Sequence, residues 1–135
     1  MTIVVGYTNS PEGHAALDSG ITLAVKDGAD LLVVNASRDS ERSDPRRLGE
    51  AEVASVRTHL SEAGVTGRVL LSQNESDPAE QILDAAAEVG AELIVLGTRR
   101  RTPVGKFLLG STVQRVVLDA DCPVLCVKAG HAVTG

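Results

Sequence analysis

Aromatic side chains are almost missing: one Tyr, one Phe and no Trp in 135 residues. A core cannot rest on aromatic anchors here, so the 43% hydrophobic content, drawn almost entirely from Val, Leu, Ile and Ala, must fill aliphatic layers. That composition favours helices packed on a buried parallel sheet. Membrane-length apolar runs are missing too. Nothing approaches the roughly 20 residues that a span requires, and the opening Met1-Thr2-Ile3-Val4-Val5-Gly6 shows no basic segment followed by a long apolar one. The expected location is the cytoplasm, without a membrane partner. A basic balance is also absent. The net charge of −5 sets up a field that repels polyanions, which argues against nucleic acid as a partner while leaving local basic clusters able to bind small anions.

Cysteine is scarce, and its two occurrences exclude more than they suggest. Cys122 and Cys126 fall in a segment that reads as a strand, where four steps separate their Cα atoms by about 13 Å, well beyond the ~7 Å reach of a disulfide. Cys-x₃-Cys without companion ligands is poor evidence for zinc. The expectation is two ordinary small buried residues. His14, His59 and His131 are scattered and form no ligand pair. No Ser/His/Asp, Cys/His or paired-carboxylate arrangement emerges, so no catalytic or metal residue is assigned.

What is present is a regular alternation of short apolar runs and amphipathic stretches. Ile3 to Tyr7 reads as a first strand. Asn9, Ser10, Pro11 and Glu12 then supply cap and first-turn chemistry for a helix whose buried face is Ala16, Leu17, Gly20, Leu23 and Ala24 and which Gly28 ends. Leu31 to Val34 is apolar on both faces, as in a parallel strand covered on each side. After a polar loop at 36–47, Asp44-Pro45 is expected to open a helix carrying Val53, Val56 and Leu60, closed by Gly64. Arg68 to Leu71 is a short third strand. Asp77-Pro78-Ala79-Glu80 orders a capping side chain, a first-turn Pro and an acidic residue, and Ile82, Leu83, Ala86 and Val89 form that helix's inner face. Gly90 to Leu96 repeats the pattern of Gly28 to Val34, the same helix-to-strand junction used twice. Beyond a loop at 98–109, Ser111 or Thr112 is expected to cap a helix with Val113, Val116 and Val117 inward, and Pro123 to Val127 is the last strand.

Five strands alternating with four helices predict an α/β fold: a five-stranded, parallel, doubly wound, Rossmann-like sheet. The length suits one domain, placed at 1–128, with residues 129–135 expected to fray. Ligands of such sheets bind beyond the carboxyl ends of the strands, which directs attention to Tyr7 to Ser10, Asn35 to Ser37 and Gly97 to Thr112.

The segment from Gly97 to Thr112 has the parts of a phosphate cradle. Gly97 and Gly110 permit close backbone approach, the helix start offers unpaired N–H groups and partial positive charge, and Ser111 and Thr112 add hydroxyls. Spacing alone fits equally well a Gly-ended strand, a solvated basic loop holding Arg99, Arg100, Arg101 and Lys106, and a Ser/Thr cap. A Walker loop fails, because Arg100 stands where its first glycine belongs and Phe107 follows the Lys. No Gly-x-Gly-x-x-Gly fingerprint occurs.

Several of these stretches together, Ser10-Pro11-Glu12-Gly13, Gly90 to Gly97, Leu108-Leu109-Gly110-Ser111 and Asp121-Cys122-Pro123-Val124-Leu125, resemble the universal stress protein family over nearly the whole chain. Nucleotide-binding members of that family carry Gly-x₂-Gly-x₉-Gly-Ser/Thr after the fourth strand. Gly97, Gly110 and Ser111 match that spacing, whereas Arg100 replaces the second glycine. Thr8 likewise stands where those members have an Asp, and cannot supply the charge that draws Mg²⁺.

The resemblance implies an ATP-binding or other adenine-nucleotide-binding regulatory protein of the stress response. Its nucleotide site would comprise Tyr7, Thr8, Asn35, Ala36, Gly97, Thr98, Arg100, Gly110, Ser111 and Thr112, with the adenine beside Tyr7, Asn35 and Ala36. It also implies a homodimer joined through Val124 to Lys128, where an apolar edge strand invites pairing. Binding without efficient turnover is the first expectation. The alternative is a nucleotide-independent dimeric module whose Arg-rich loop meets an anion, and a slow ATPase or phosphotransferase comes third.

Overall fold

The computed structural model describes residues 1–38, 46–99 and 109–134. Among them five parallel strands form one sheet in the order β3-β2-β1-β4-β5. The strands are β1 (Thr2–Gly6), β2 (Asp30–Arg38), β3 (Gly67–Asn74), β4 (Leu93–Thr98) and β5 (Val124–Lys128), alternating with α1 (Pro11–Asp27), α2 (Glu50–Glu62), α3 (Pro78–Val89) and α4 (Ser111–Asp119). The doubly wound α/β expectation is met in full.

Two aliphatic layers hold the sandwich together. Alternate strand residues Ile3, Val5, Leu31, Val33 and Val95 face α1 and α2, where Ala16, Leu17, Val53, Val56 and Leu60 meet them. The intervening Val4, Leu32, Val34, Ile94 and Leu96 face α3 and α4, meeting Ile82, Ala86, Val113 and Val116. Register keeps these rows aligned: Val4 lies opposite Leu32 on one side and Ile94 on the other. Burying each such side chain contributes about 1.5–3 kcal/mol, so the layers supply the main drive to fold. Small residues let the first helix sit low on the sheet. A Cβ on Gly20 would overlap Val5 Cγ2 and touch Leu31 Cδ1 at 3.4 Å.

Caps follow the residues that announced them. Ser10 caps α1 and Asp77 caps α3, each with Pro in the first turn, while Gly28 and Gly90 end those helices in left-handed conformation at φ 65° and 60°. The other two helix starts differ from expectation. α2 begins at Glu50 after Gly49 rather than at Asp44-Pro45, which lie outside the described residues. α4 has Gly110 as its N-cap, so Ser111 and Thr112 are its first two helical residues and neither caps it.

Burial also departs from the apolar pattern near the sheet's margins. Val117 is 45% exposed and Leu118 81%, because α4 lies along the β4–β5 margin and only its Val113 and Val116 flank meets the sheet. Both cysteines are free, as expected, yet neither is buried: Cys126 is exposed and Cys122 half-buried. Cys122 precedes the strand, and Cys126 stands on a strand that, among the described residues, has a neighbour on one side alone. β2 runs four residues beyond Val34 because its polar end still pairs with β3 through Arg38 and Asn74. The tail, expected to fray, is held at two points: Ala129 is buried, and the Val133 N–H donates to Oγ of the buried Ser19 at 2.8 Å.

Gly20→Val forces methyl groups into the space of Val5 and Leu31, and overpacking of this kind costs about 1–3 kcal/mol. The expected outcome is a lower urea midpoint with an unchanged m-value; an unchanged midpoint would mean that α1 does not seat on the sheet as closely as the packing requires.

Candidate functional site

β1 lies between β2 and β4, and the chain leaves these strands toward opposite edges of the sheet. This is the switch point at which open α/β sheets bind ligands. A cleft of about 320 Å³ opens there. Its lining includes apolar side chains, Val34 and Ala36 of β2, Pro78 and Ile82 of α3 and Leu96 of β4. It also includes Gly97, Thr98, Gly110 and Thr112, which offer backbone groups and hydroxyls. Thr8 and Ser10 line it as well.

Three helix N-termini border this cleft, and they are not equivalent; that of α3, at Pro78, is capped by the Asp77 side chain. At α1, Ser10 Oγ accepts the Gly13 N–H at 3.0 Å, and Glu12 adds an acidic side chain in the first turn. Its positive end is already answered from within the chain. At α4 the N-cap is Gly110, no side chain caps the helix, and no acid stands in the first turn. The opening N–H groups of α4 therefore keep their capacity to bind an acceptor, and the helix dipole favours an anionic one.

Two glycines of the cleft serve different purposes. A Cβ on Gly97 would overlap the carbonyl oxygen of Glu12, so Gly97 is required by the seat of α1 on β4 whether or not a ligand is present. A Cβ on Gly110 would meet nothing within 4 Å, and the φ of −61° there suits any residue. Gly110 is thus left open by the fold, with the space beside it belonging to the cleft.

Seven of the ten candidate residues line the cleft: Tyr7, Thr8, Ala36, Gly97, Thr98, Gly110 and Thr112. Arg100 lies outside the described residues. Ser111 is exposed and does not line the cleft, so the hydroxyl at the start of α4 is that of Thr112. Three charged residues that the sequence reading did not assign to the site are here: Glu12, Arg46 and Arg99. Glu12 and Arg99 form a loose ion pair, Oε1 to Nε 4.0 Å. Helix order alone could have signalled Glu12, since the first turn after β1 must face the ligand side.

The sequence model of the universal stress protein family matches residues 1–128. The chain belongs to that family. A universal stress protein of Mycolicibacterium smegmatis is 42% identical over 126 residues, covering 93% of this chain and 96% of the relative. The crystal structure of a universal stress protein family member from Burkholderia pseudomallei superposes with a TM-score of 0.73 at 30% identity, over 93% of this chain and 94% of the other. A universal stress protein solved in complex with cAMP shares the fold at a TM-score of 0.73 and 22% identity, over 96% and 97% of the two chains. Among the described residues no helix is long and apolar enough to cross a membrane.

Within this family fold, Asn35 has a different place from the one expected beside a base. It is 1% exposed and not part of the cleft wall. Its Nδ2 donates to the carbonyls of Tyr7 at 2.9 Å and Arg46 at 2.6 Å, and its Oδ1 accepts the Leu48 N–H at 3.1 Å. The amide therefore staples the segment that returns toward α2 onto the end of β1, and in doing so holds Arg46 at the cleft. Tyr7 is likewise divided. Its ring is buried in the α1/α2 layer, 5.9 Å from the His14 ring. Burial, with smaller contributions from Glu52 and Asp18, raises its phenol pKa.

Asn35→Ala removes the three hydrogen bonds of the staple, which costs about 2–4 kcal/mol. Amide hydrogen exchange at Leu48 should accelerate by more than the global loss of stability accounts for. Equal acceleration throughout the chain would contradict a local staple.

Proposed function

We propose that this universal stress protein binds an adenine nucleotide in the β1–β4 cleft and works as a regulatory binding protein of the stress response. The observation that carries the reading is the start of α4 at Gly110, without a side-chain cap, in a cleft at the switch point of the sheet that apolar side chains also line. A nucleotide has matching parts. Its phosphate suits the free N–H groups and dipole of α4, and its base suits the apolar side chains of Val34, Ala36, Ile82 and Leu96. Capping of α1 by Ser10 argues for one orientation, with the phosphate at α4. The cAMP held by a protein of the same fold is consistent with this choice of ligand.

Arg46 and Arg99 add positive charge at the cleft, and Thr112 offers a hydroxyl to the phosphate. Mg²⁺ would accompany a polyphosphate ligand, and Glu12 is the carboxylate nearest to hand for it among the described residues of the cleft. Binding rather than turnover is the proposed role, since that carboxylate stands against Arg99 instead of addressing an attacking water.

The proposed assembly is a homodimer through β5. Among the described residues that strand pairs with β4 on one side and is the last of the sheet. A strand in that position suits a second copy of itself, and the preceding helix exposes Val117 and Leu118. Light scattering at micromolar concentration is expected to give twice the chain mass, and a monomer there would refute the assembly.

Calorimetric titration of ATP, ADP and AMP, each with and without Mg²⁺, tests the nucleotide reading. At least one should bind more tightly than millimolar; failure of all three to do so ends the proposal. Gly110→Ala fills the space beside the cradle, and the fold should survive it, since Ala in place of Gly at an N-cap costs at most about 1 kcal/mol. The affinity should nevertheless fall about tenfold, equivalent to about 1.4 kcal/mol. Unchanged affinity would move the phosphate away from α4.

A further inference from the structure

The two margins of the sheet are built differently. β5 ends one with five residues, whereas β3 ends the other with eight, Gly67–Asn74. All of β3 pairs with β2, and among the described residues nothing pairs with its far side. The ladder fixes which peptide groups that side presents. The Leu31 N–H donates to the Thr66 carbonyl at 3.0 Å, and Leu31 lies opposite Gly67, so Arg68, Leu70 and Ser72 bond β2 in alternation. The peptide groups of Val69, Leu71 and Gln73 therefore face outward. Natural edge strands are commonly kept short or blunted by Pro and Lys. β3 has neither residue, carries Arg68 as its one charge, and leaves Leu70 39% and Leu71 44% exposed.

Beside this edge a groove of about 850 Å³ opens between β3 and α2. Leu48, Val53 and Leu71 line it together with Arg47, Arg57 and Glu50. Arg68 stands on the opposite face of the same strand from Leu71. Arg47, Arg57 and Arg68 are exposed, and among the described residues none of them has an ion-pair partner. Three guanidinium groups against the Glu50 carboxylate make this margin basic in a chain whose net charge is −5. Charge also decides between occupants. A second copy meeting this margin isologously would set these arginines against the same arginines, and like-charge juxtaposition opposes such a pairing. An acidic strand meets no such opposition.

We propose that the β3 margin is a docking edge for an acidic, extended segment of another protein, which adds to the sheet as a further strand. The outward peptide groups of Val69, Leu71 and Gln73 supply its backbone hydrogen bonds. Arg47 and Arg57 take its carboxylates on the α2 side, where charge-assisted hydrogen bonds are strongest, and Leu70 meets apolar side chains on the other face. Successive residues of an added strand point to opposite faces, so a segment that alternates acidic and apolar residues answers both. The edge stands apart from the β1–β4 cleft and does not depend on what that cleft binds.

The test uses the whole chain and a fluorescein-labelled peptide of alternating Glu and Val, as long as β3, with a peptide of alternating Lys and Val as its counterpart. The acidic peptide is expected to bind more tightly than millimolar and at least about tenfold more tightly than the basic one. Adding it should slow hydrogen exchange at the amides of Val69, Leu71 and Gln73. Arg57→Glu, at an exposed position, should keep the urea midpoint and weaken the acidic peptide by about tenfold. Failure of the acidic peptide to bind, equal binding of the two peptides, or unchanged affinity in a folded Arg57→Glu overturns the proposal. So does binding that leaves exchange at those amides unchanged, which is charge association without strand addition. Protection there that grows with protein concentration in the absence of peptide assigns the edge to a second copy and overturns it as well.

Discussion

The seat of α1 on the sheet is the constraint from which the rest of the molecule follows. The helix comes so close to β1 and β4 that no side chain fits at Gly13, Gly20 or Gly97, where a Cβ would meet the Thr8 carbonyl, Val5 and the Glu12 carbonyl respectively. Close packing of this kind turns three glycines into a single geometric requirement. It brings the first turn of α1 down onto the ends of β1 and β4 and so forms one wall of the crevice between them. The aliphatic layers contribute most of the stabilisation, but the glycine contacts decide how deep the crevice is.

On that wall the chain has already answered the positive end of α1, through Ser10 and Glu12, while leaving α4 unanswered behind Gly110. The cleft thus borders helix starts that differ in capping, and apolar side chains of Val34, Ala36, Ile82 and Leu96 line it together with the neutral hydroxyls of Thr8 and Ser10.

Most of the fold was legible in the residues. Apolar runs two-sided enough for covered strands, Ser10-Pro11 and Asp77-Pro78 at helix starts, and Gly28 and Gly90 at helix ends all have local causes, and local causes survive folding. Failures came where a residue's surroundings mattered. Asn35 is expected beside the adenine and is instead a buried staple. Ser111 reads as a cap and is an exposed first-turn residue. Val117 fits the helical stripe, yet α4 meets the sheet with one flank alone. Gly97 matches a phosphate-loop glycine, while its packing against Glu12 accounts for it without any ligand.

By itself, then, the order of residues determined the alternation of strands and helices, the parallel doubly wound class and the end of the sheet where chemistry belongs, since hydrophobic period and capping act over a few neighbouring positions. Only the tertiary structure decided which helix start at the cleft lacks a side-chain cap, which glycine packing requires and which it leaves open, and that Glu12 and Arg46 line the cleft. Those outcomes depend on contacts between segments far apart in the chain, such as Asn35 with Arg46 and Leu48 or Gly97 with Glu12, and no local pattern encodes the distance between them.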